Sequence, residues 1–392
     1  MKLWNKRIFA VLFLSLILCA GGCWNYRELD QLGIVAGVGY DLAPEPGKIL
    51  MTVQVIKPGE AKGGGGESGT SGGGEGGSQT QPVVIIESTG ATVFDAVRGA
   101  VTKFSRKLFW PHNQVLIIGK EAAEQGVRQF IDYEIRDAEP RPTAWIMVTP
   151  GKAGDLLKTT GKMQKIPALE IAEMIRAQSA TSKAGSFMVH DFVLRLVSKT
   201  AAPVATQIRL DEENEVQLDG TAVFKGEKLA GFIGPRETRG LLWVLGKVRS
   251  GSIVVNKGQV SLEIIRASSK IKPEVTEASV RIKVIVNVQS NVSNQNNALD
   301  LSKPETLKTL AKREEAVIRD EIKAALDKAR ELKADIFGFG EAIHRVDPKV
   351  WKRLEPHWDQ IFTELQVELA VKADINQVGL ILKPLSLTNE RE

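Results

Sequence analysis

The chain has 392 residues, 43% hydrophobic and 25% charged, which is an ordinary globular composition and enough for two or three domains. Lysine and arginine number 52, against 47 aspartates and glutamates. Three of the positive charges lie in residues 1–22, and their removal would leave 49 against 47. The chain without residues 1–22 therefore lacks the excess of basic residues expected of a nucleic-acid-binding protein.

The N-terminus has the three parts of an export signal. Residues 1–7 carry three positive charges, residues 8–20 are almost entirely apolar, and Gly21-Gly22 follow. The apolar run is shorter than the ~20 residues that a membrane-spanning helix needs. The sequence therefore predicts a signal peptide over residues 1–22 rather than an N-terminal membrane helix.

Cys23 is the predicted lipidation site. The stretch Ala20-Gly21-Gly22-Cys23 resembles the bacterial lipobox, although leucine is usual where Ala20 stands. Cys19 is the rival acceptor, but Leu18 before it is too bulky for the cleavage pocket. A diacylglyceryl group, with or without an N-acyl chain, would hold the protein firmly, because each buried methylene contributes ~0.8 kcal/mol.

Residues 57–82 are predicted to form a disordered glycine-rich loop, because the core of this stretch has almost nothing to bury. Strand-like runs flank it at Ile49–Ile56 and Val83–Ser88. The loop is either an insertion between two strands of one domain or a linker between domains. We favour the insertion, since residues 24–48 are too few to form a domain.

Strands and helices then alternate to about residue 198, which indicates an α+β or α/β domain. The predicted helices are Thr92–Leu108, Lys120–Tyr133, Ala168–Gln178 and Val189–Ser198. The predicted strands are Gln114–Ile118 and Thr143–Val148.

A second region begins near Pro203, with a short helix expected at Pro235–Leu245. Its predicted strands are Val204–Leu210, Val216–Phe224, Lys228–Ile233, Gln259–Arg266, Ala278–Val288, Leu365–Ala373 and Gly379–Leu382.

One long helix is predicted over residues 303–335. Ser302 and Glu305 have the spacing of a capping box at its start. Its apolar residues recur on one stripe, which we interpret as core rather than as a partner-binding surface.

The sequence singles out no catalytic residue, metal site or cofactor. The four histidines do not have the spacing of metal ligands, and the acyl-transfer, P-loop and dinucleotide motifs do not occur. Carboxylates are plentiful, but no pair stands out. Two clusters remain. Glu237–Gly240 is predicted to form a buried ion pair or a solvated helix end rather than a partner contact. Trp351 and Trp358 are predicted to pack helices rather than to anchor an interface.

Several stretches form a further pattern: Cys23–Leu29, Leu32–Asp41, Trp110–Gly119, Gly220–Lys225, Lys228-Leu229, Glu237–Gly240, Asp335–Glu341, Trp351 and Trp358. Together they resemble the GerAC-like, or Ger(x)C, spore germination lipoproteins. Two departures are Asn25, where the family usually has aspartate, and Pro111, where a small residue is more usual. The resemblance covers nearly the whole mature chain.

The resemblance implies a non-enzymatic C subunit of a nutrient germinant receptor in an endospore-forming bacterium. Its expected location is the outer face of the cell membrane or spore inner membrane, beside integral-membrane A and B subunits. The implied fold is α+β with mixed or antiparallel sheets and three domains, which we place at residues 23–198, 199–270 and 271–392. Two alternatives remain: a lipoprotein enzyme acting on cortex peptidoglycan, and a solute-binding lipoprotein.

Overall fold

The computed structural model of the protein describes residues 31–57, 82–161, 163–198, 200–276, 279–296 and 299–377. Within these residues the strands form two sheets, a nine-stranded sheet A and a four-stranded sheet B. Helices pack against both sheets. The predicted α+β class with mixed sheets and more than one domain is confirmed.

Sheet A consists of β1 (Leu32–Leu42), β2 (Ile49–Ile56), β3 (Val83–Gly90), β4 (Lys107–Phe109), β5 (Val115–Gly119), β6 (Trp145–Thr149), β7 (Val204–Leu210), β8 (Val216–Lys225) and β9 (Lys228–Ile233). The order is β3-β2-β1-β5-β6-β7-β8-β9, and β4 lies beside the start of β1. The four middle strands, β1, β5, β6 and β7, are parallel to one another. The outer pairs, β3 with β2, β2 with β1, β7 with β8 and β8 with β9, are antiparallel.

Because β1, β5, β6 and β7 are parallel, they all begin at one edge of sheet A, which we call the N-terminal edge. β2 ends at this edge, where Ile56 lies opposite Ile34. β3 begins there, and the Lys57 amide donates to the Pro82 carbonyl at 2.8 Å. β2 and β3 pair in one sheet, which favours the insertion over a linker between domains. The predicted disorder of the connection falls on residues 58–81, outside the described residues.

The central strands of sheet A are apolar on both sides, which requires helices on both sides. In β5, Leu116 and Ile118 join one core, while Val115 and Ile117 join the other. The helices of this half of the chain are α1 (Val93–Val101), α2 (Lys120–Gln125), α3 (Arg128–Arg136), α4 (Ala153–Lys158), α5 (Pro167–Ala177), α6 (Val189–Ser198) and α7 (Pro235–Val244).

Two predicted helices are wrong in extent. The helix predicted over Thr92–Leu108 ends at Val101, because the following residues turn and then pair with β1 as β4. The helix predicted over Lys120–Tyr133 is two helices, α2 and α3. They are separated at Gly126, whose φ of 136° lies outside the helical region and suits glycine.

Sheet B contains β10 (Ser252–Val255), β11 (Val260–Val275), β12 (Val280–Gln295) and β13 (Gln366–Gln377), in that order. β12 is antiparallel to β11 and parallel to β13. The helices of this half are α8 (Pro304–Glu331), α9 (Phe339–Val346), α10 (Pro348–Leu354) and α11 (Trp358–Glu364).

The predicted long helix over residues 303–335 is confirmed as α8, and its apolar stripe lies in the core. Ile318 and Ile322 are fully buried in the cluster that contains the inner residues of β12. The predicted capping box is wrong, because the residue before the helix is Lys303 and no side chain caps it. Ser302 instead donates its hydroxyl to Asp300, at 2.5 Å.

The domain divisions at residues 198 and 270 stay predictions. Sheet pairing continues across the first, since Met147 of β6 lies opposite Thr206 of β7. β11 runs without a break through the second. The strand predicted at Gly379–Leu382 lies outside the described residues.

Candidate functional site

The family-like residues Tyr40 and Asp41 end the buried part of β1. The Asp41 carboxylate accepts the amides of Ala153 at 2.8 Å and Gly154 at 3.0 Å, at the start of α4. Burial raises the pKa of Asp41, and these two amides lower it. Gly119 packs so closely that a Cβ there would overlap an Asp41 oxygen. Asp41 therefore attaches α4 to the sheet edge where open parallel sheets commonly bind ligands.

Tyr40 connects β1 to α3. Its hydroxyl donates to Glu134 at 3.1 Å, and its ring stacks on Phe130 with 5.0 Å between centroids. Burial raises the pKa of Glu134 to about 7, although the hydrogen bond from Tyr40 lowers it. This buried pair holds α3 against sheet A.

The segment from Trp110 to Ile118 is mostly core. Trp110 is buried and meets the Tyr133 ring edge-on at 6.1 Å. The Gln114 amide donates to the Ala36 carbonyl at 2.9 Å, which sets β5 beside β1. His112 is exposed and lies 5.4 Å from the Phe109 ring, so it forms part of the N-terminal edge.

The Asp335–Glu341 segment folds into a tight turn around the buried Asp335 carboxylate. That carboxylate accepts the Gly338 amide at 2.9 Å, the Gly340 amide at 2.8 Å and the Trp358 indole N–H at 3.2 Å. Burial raises the pKa of Asp335, and the backbone amides oppose the shift. Gly338 has a φ of 75°, in the left-handed region where glycine is favoured.

The Asp335 turn joins the two halves of the chain. The Arg195 guanidinium, at the end of α6, donates from one nitrogen to the Ala202 carbonyl at 3.0 Å and the Ile336 carbonyl at 2.7 Å. Thr200 accepts the Glu341 amide at 3.1 Å and donates its hydroxyl to the Glu341 carboxylate at 2.5 Å. The turn therefore fixes the segment after α6 to the segment before α9.

Trp351 and Trp358 pack helices, as predicted. Their rings meet edge-on, with 5.2 Å between centroids, and both are buried. A Cβ at Gly340 would lie 2.6 Å from the Trp351 ring. These tryptophans stabilise the Asp335 turn from inside rather than presenting themselves to a partner.

Beside the turn lies a concave surface that we call the α6–α9 cleft. Its volume is about 740 Å³. Its apolar rim includes Leu194, 56% exposed, and Val346, 61% exposed. Three cationic side chains line it, from Arg195, Lys270 and Arg345, with one carboxylate, from Glu341.

A second groove, of about 820 Å³, lies between α7 and α8 and is lined mainly by polar side chains. Here Arg239 forms a two-pronged ion pair with Glu321, whose carboxylate also accepts the Trp243 indole N–H at 2.9 Å. Arg239 also donates to the Ser252 carbonyl at 3.0 Å. The prediction of a buried ion pair is confirmed, with Glu321 rather than Glu237 as the partner.

Two family models match this chain in succession. Residues 25–210 match the family described as spore germination protein N-terminal domain, and residues 219–379 match spore germination B3/GerAC like, C-terminal. The chain belongs to the GerAC-like family of spore germination proteins. Arg195 lies in the first match and Asp335 in the second, so the contacts of the Asp335 turn connect the two family regions.

Similar proteins cover the GerAC-like chain almost end to end. Spore germination protein KC of Bacillus subtilis (strain 168) is 27% identical over 97% of this chain and 98% of its own length. Spore germination protein B3 of the same organism is 25% identical, over 96% and 98%. The crystal structure of the GerBC protein superposes with a TM-score of 0.56 at 20% identity, covering 89% of this chain and 99% of that one, which shows a shared fold.

Cys23, the predicted lipidation site of this GerAC-like chain, lies outside the described residues. No helix in the described part of the chain is both long and apolar enough to cross a bilayer. The same residues bring together no group of three or more histidine, cysteine, aspartate or glutamate side chains suited to a metal ion.

The α6–α9 cleft was not predicted from the sequence. Its lining comes from α6, β11 and α9, which lie far apart along the chain. One signal was available in α6, where Phe192 is buried while Leu194 and Val197 are apolar on the other side. A helix that is apolar around most of its circumference indicates more than one packing surface.

Proposed function

We propose that the chain is a non-enzymatic, lipid-anchored C subunit of a spore germinant receptor, bound to integral-membrane A and B subunits. The observation that carries the proposal is the order of features along the chain. The lipobox-like stretch ends at Cys23, and the two GerAC-like family regions follow without a third domain-sized segment between them.

The positions of the buried charged side chains support a structural and positional role. Asp41, Asp335 and Glu321 each accept hydrogen bonds that attach one element to another. Their role in these contacts is that of carboxylates which contribute to folding.

The anchor also has a defined reach. Seven residues lie between Cys23 and Gln31, the first described residue, and the eight steps from Cys23 to Gln31 span at most about 29 Å when extended. The N-terminal edge of sheet A would therefore lie close to the membrane. A and B subunits in the same membrane could contact this end of the protein.

The anchor is tested by Cys23→Ala, with Cys19→Ala as the matched control. We expect Cys23→Ala to be exported but recovered mainly in the soluble fraction, without incorporation of labelled palmitate, and the nutrient germination rate to fall. Cys19→Ala should behave like the natural chain. Normal membrane retention and germination of the Cys23→Ala spores would sink the proposal.

A further inference from the structure

We propose that the α6–α9 cleft binds an acidic, amphipathic segment of a membrane-bound partner protein. The inference rests on the proposed function, because it assigns a contact surface within the receptor. It concerns a surface that contains none of the residues used for anchoring.

The first observation is a concentration of exposed apolar side chains. Leu194 lines the cleft and is 56% exposed, and Val197, one helical turn further along α6 and beside the cleft, is 71% exposed. Val346, at the end of α9, also lines the cleft and is 61% exposed. Single exposed apolar residues are common on protein surfaces, whereas clusters rimmed by polar groups mark interaction sites. A partner that covers these three residues would remove their apolar area from water.

The second observation is the charge of the cleft. Glu341 is already engaged by Thr200 and by Arg345, whose nitrogen lies 3.6 Å from the carboxylate. Arg195 uses one guanidinium nitrogen on two backbone carbonyls, and Lys270 is exposed on β11. Because Arg195 is largely buried and interacts with Asp335 and Asp191, the accessible cations of the cleft are Lys270 and Arg345, against the single carboxylate of Glu341. This excess of positive charge favours an occupant that carries carboxylates.

The third observation is shape. The cleft is concave, with Phe337, Ala201 and Val244 among the residues that line it. A flat bilayer surface would meet only the rim of such a cleft, whereas an amphipathic segment can place its apolar side chains inside. Shape therefore favours a protein segment over lipid headgroups.

The fourth observation is position. Thr200 and Ala201 lie in the segment that leads into β7, and β7 begins at the same edge of sheet A as β1. The short tether from Cys23 reaches β1 at that edge. The cleft is thus on the end of the molecule that the anchor would hold toward the membrane, within reach of a partner embedded there.

The apolar contribution is tested with the full chain in spore membranes. Leu194→Ser combined with Val197→Ser removes the exposed apolar side chains of α6. The matched control is Phe94→Ser combined with Ile135→Ser, which changes two helical residues that are 49% and 50% exposed elsewhere. We expect recovery of the A and B subunits with the detergent-solubilised chain to fall roughly tenfold or more for the cleft pair and to stay unchanged for the control pair.

The charge contribution is tested with Lys270→Glu combined with Arg345→Glu. The control is Lys349→Glu combined with Lys352→Glu, two exposed lysines on α10. An acidic partner should be lost from the first variant and retained by the second. Equal recovery with both variants would overturn the acidic character of the partner.

The occupant is identified with a photo-crosslinking residue placed at Leu194, which lines the cleft. A crosslink to a receptor-subunit peptide that contains apolar and carboxylate side chains supports the inference. A crosslink to lipid or to a second copy of this chain overturns it, as does normal subunit recovery with the α6 serine pair.

These variants keep Cys23, so their membrane retention should equal that of the natural chain. Failure of the cleft inference appears as normal subunit recovery, whereas failure of the anchor appears as membrane retention of Cys23→Ala. Melting temperatures of all variants distinguish lost binding from lost folding.

Discussion

Glu314 is a buried carboxyl group on α8 that faces sheet B. Its side chain is fully buried, and Ser290 of β12 donates a hydrogen bond to one of its oxygens at 2.5 Å. Its other oxygen has no hydrogen-bond partner among the described residues. Burial raises the pKa of Glu314 to about 7, while the hydrogen bond from Ser290 lowers it.

This raised pKa makes stability depend on pH. The folded chain holds the Glu314 proton between pH ~4.5 and 7, where the unfolded chain has released it. The free energy of unfolding should therefore fall as pH rises through this window. We expect Glu314→Gln, which cannot ionise, to be more stable than the natural chain by roughly 1–3 kcal/mol at pH 8. Urea unfolding of the chain without residues 1–23, at pH 5 and pH 8, measures the difference.

The matched control is Glu305→Gln, which changes an exposed carboxylate at the start of the same helix. It should leave the difference between the two pH values unchanged. If Glu314→Gln lost as much stability as the natural chain between pH 5 and pH 8, Glu314 would not be the group responsible.

At the residue scale, the sequence singled out structurally important residues, but it did not predict their contact partners. Arg239 and Asp335 belong to the stretches that carried the family resemblance. Their partners could not be read from local spacing: Glu321 lies 82 residues from Arg239, and Trp358 lies 23 residues from Asp335. Such contacts depend on how distant elements pack, which periodicity does not encode.

The packing of α7 on α8 depends on a single glycine. A Cβ at Gly240 would lie 2.8 Å from the Ala325 methyl carbon and would overlap the Glu321 carbonyl. The same contact positions Arg239 against the Glu321 carboxylate. The Gly240 backbone therefore sets the distance between these helices.

We expect Gly240→Ala to destabilise the protein, although alanine is the better helix former. The gain in helix propensity is about 1 kcal/mol, whereas forcing extra atoms into a packed core costs ~1–3 kcal/mol. The urea midpoint should fall and the near-ultraviolet signal of Trp243 should change. Gly151→Ala is the control, since the nearest atom to a Cβ there, Thr149 Oγ1, lies at 3.9 Å. An unchanged midpoint for Gly240→Ala would contradict the packing argument.

At the element scale, strands and helices with clear periodicity were predicted well. β2, α6, β7 and β9 have the predicted ends. The failures occurred where tertiary pairing or one backbone angle decided the outcome, as in the strand pairing of β4 and the break at Gly126. Neither feature can be predicted from the spacing of apolar residues.

For the whole molecule, the sequence predicted the fold class but not the topology of the sheets. The sequence indicated α+β layers, but the continuation of sheet A across residue 198 and the parallel pairing of β12 with β13 depend on crossovers. A parallel pair needs a long connection, here the segment that contains α8 to α11. The α6–α9 cleft follows from that arrangement and could not be predicted without it.

The glycine-rich connection gives a prediction at this scale. Its two ends are adjacent, as the hydrogen bond between Lys57 and Pro82 shows. If residues 58–81 form the flexible loop that the sequence predicts, replacing these 24 residues with six should stabilise the chain by about 1.2 kcal/mol, because each halving of the loop length lowers the free-energy cost of closing it by ~0.6 kcal/mol. Urea unfolding tests this, with a reshuffled loop of the original length as the control. A loss of stability would mean that the loop makes contacts that support the fold.

The parallel pairing of β12 with β13 also bears on how the protein would fold if it is exported as proposed. A chain that leaves the cell N-terminus first presents β11 and β12 well before the strand that completes their sheet. Until residues 366–377 have emerged, the long amphipathic hairpin has an open edge at β12. Such an edge is prone to pair with other chains, and non-local pairing is slow. The proposed lipid anchor at Cys23 would hold the nascent protein at the membrane early and so limit its encounters with other unfinished copies during that interval.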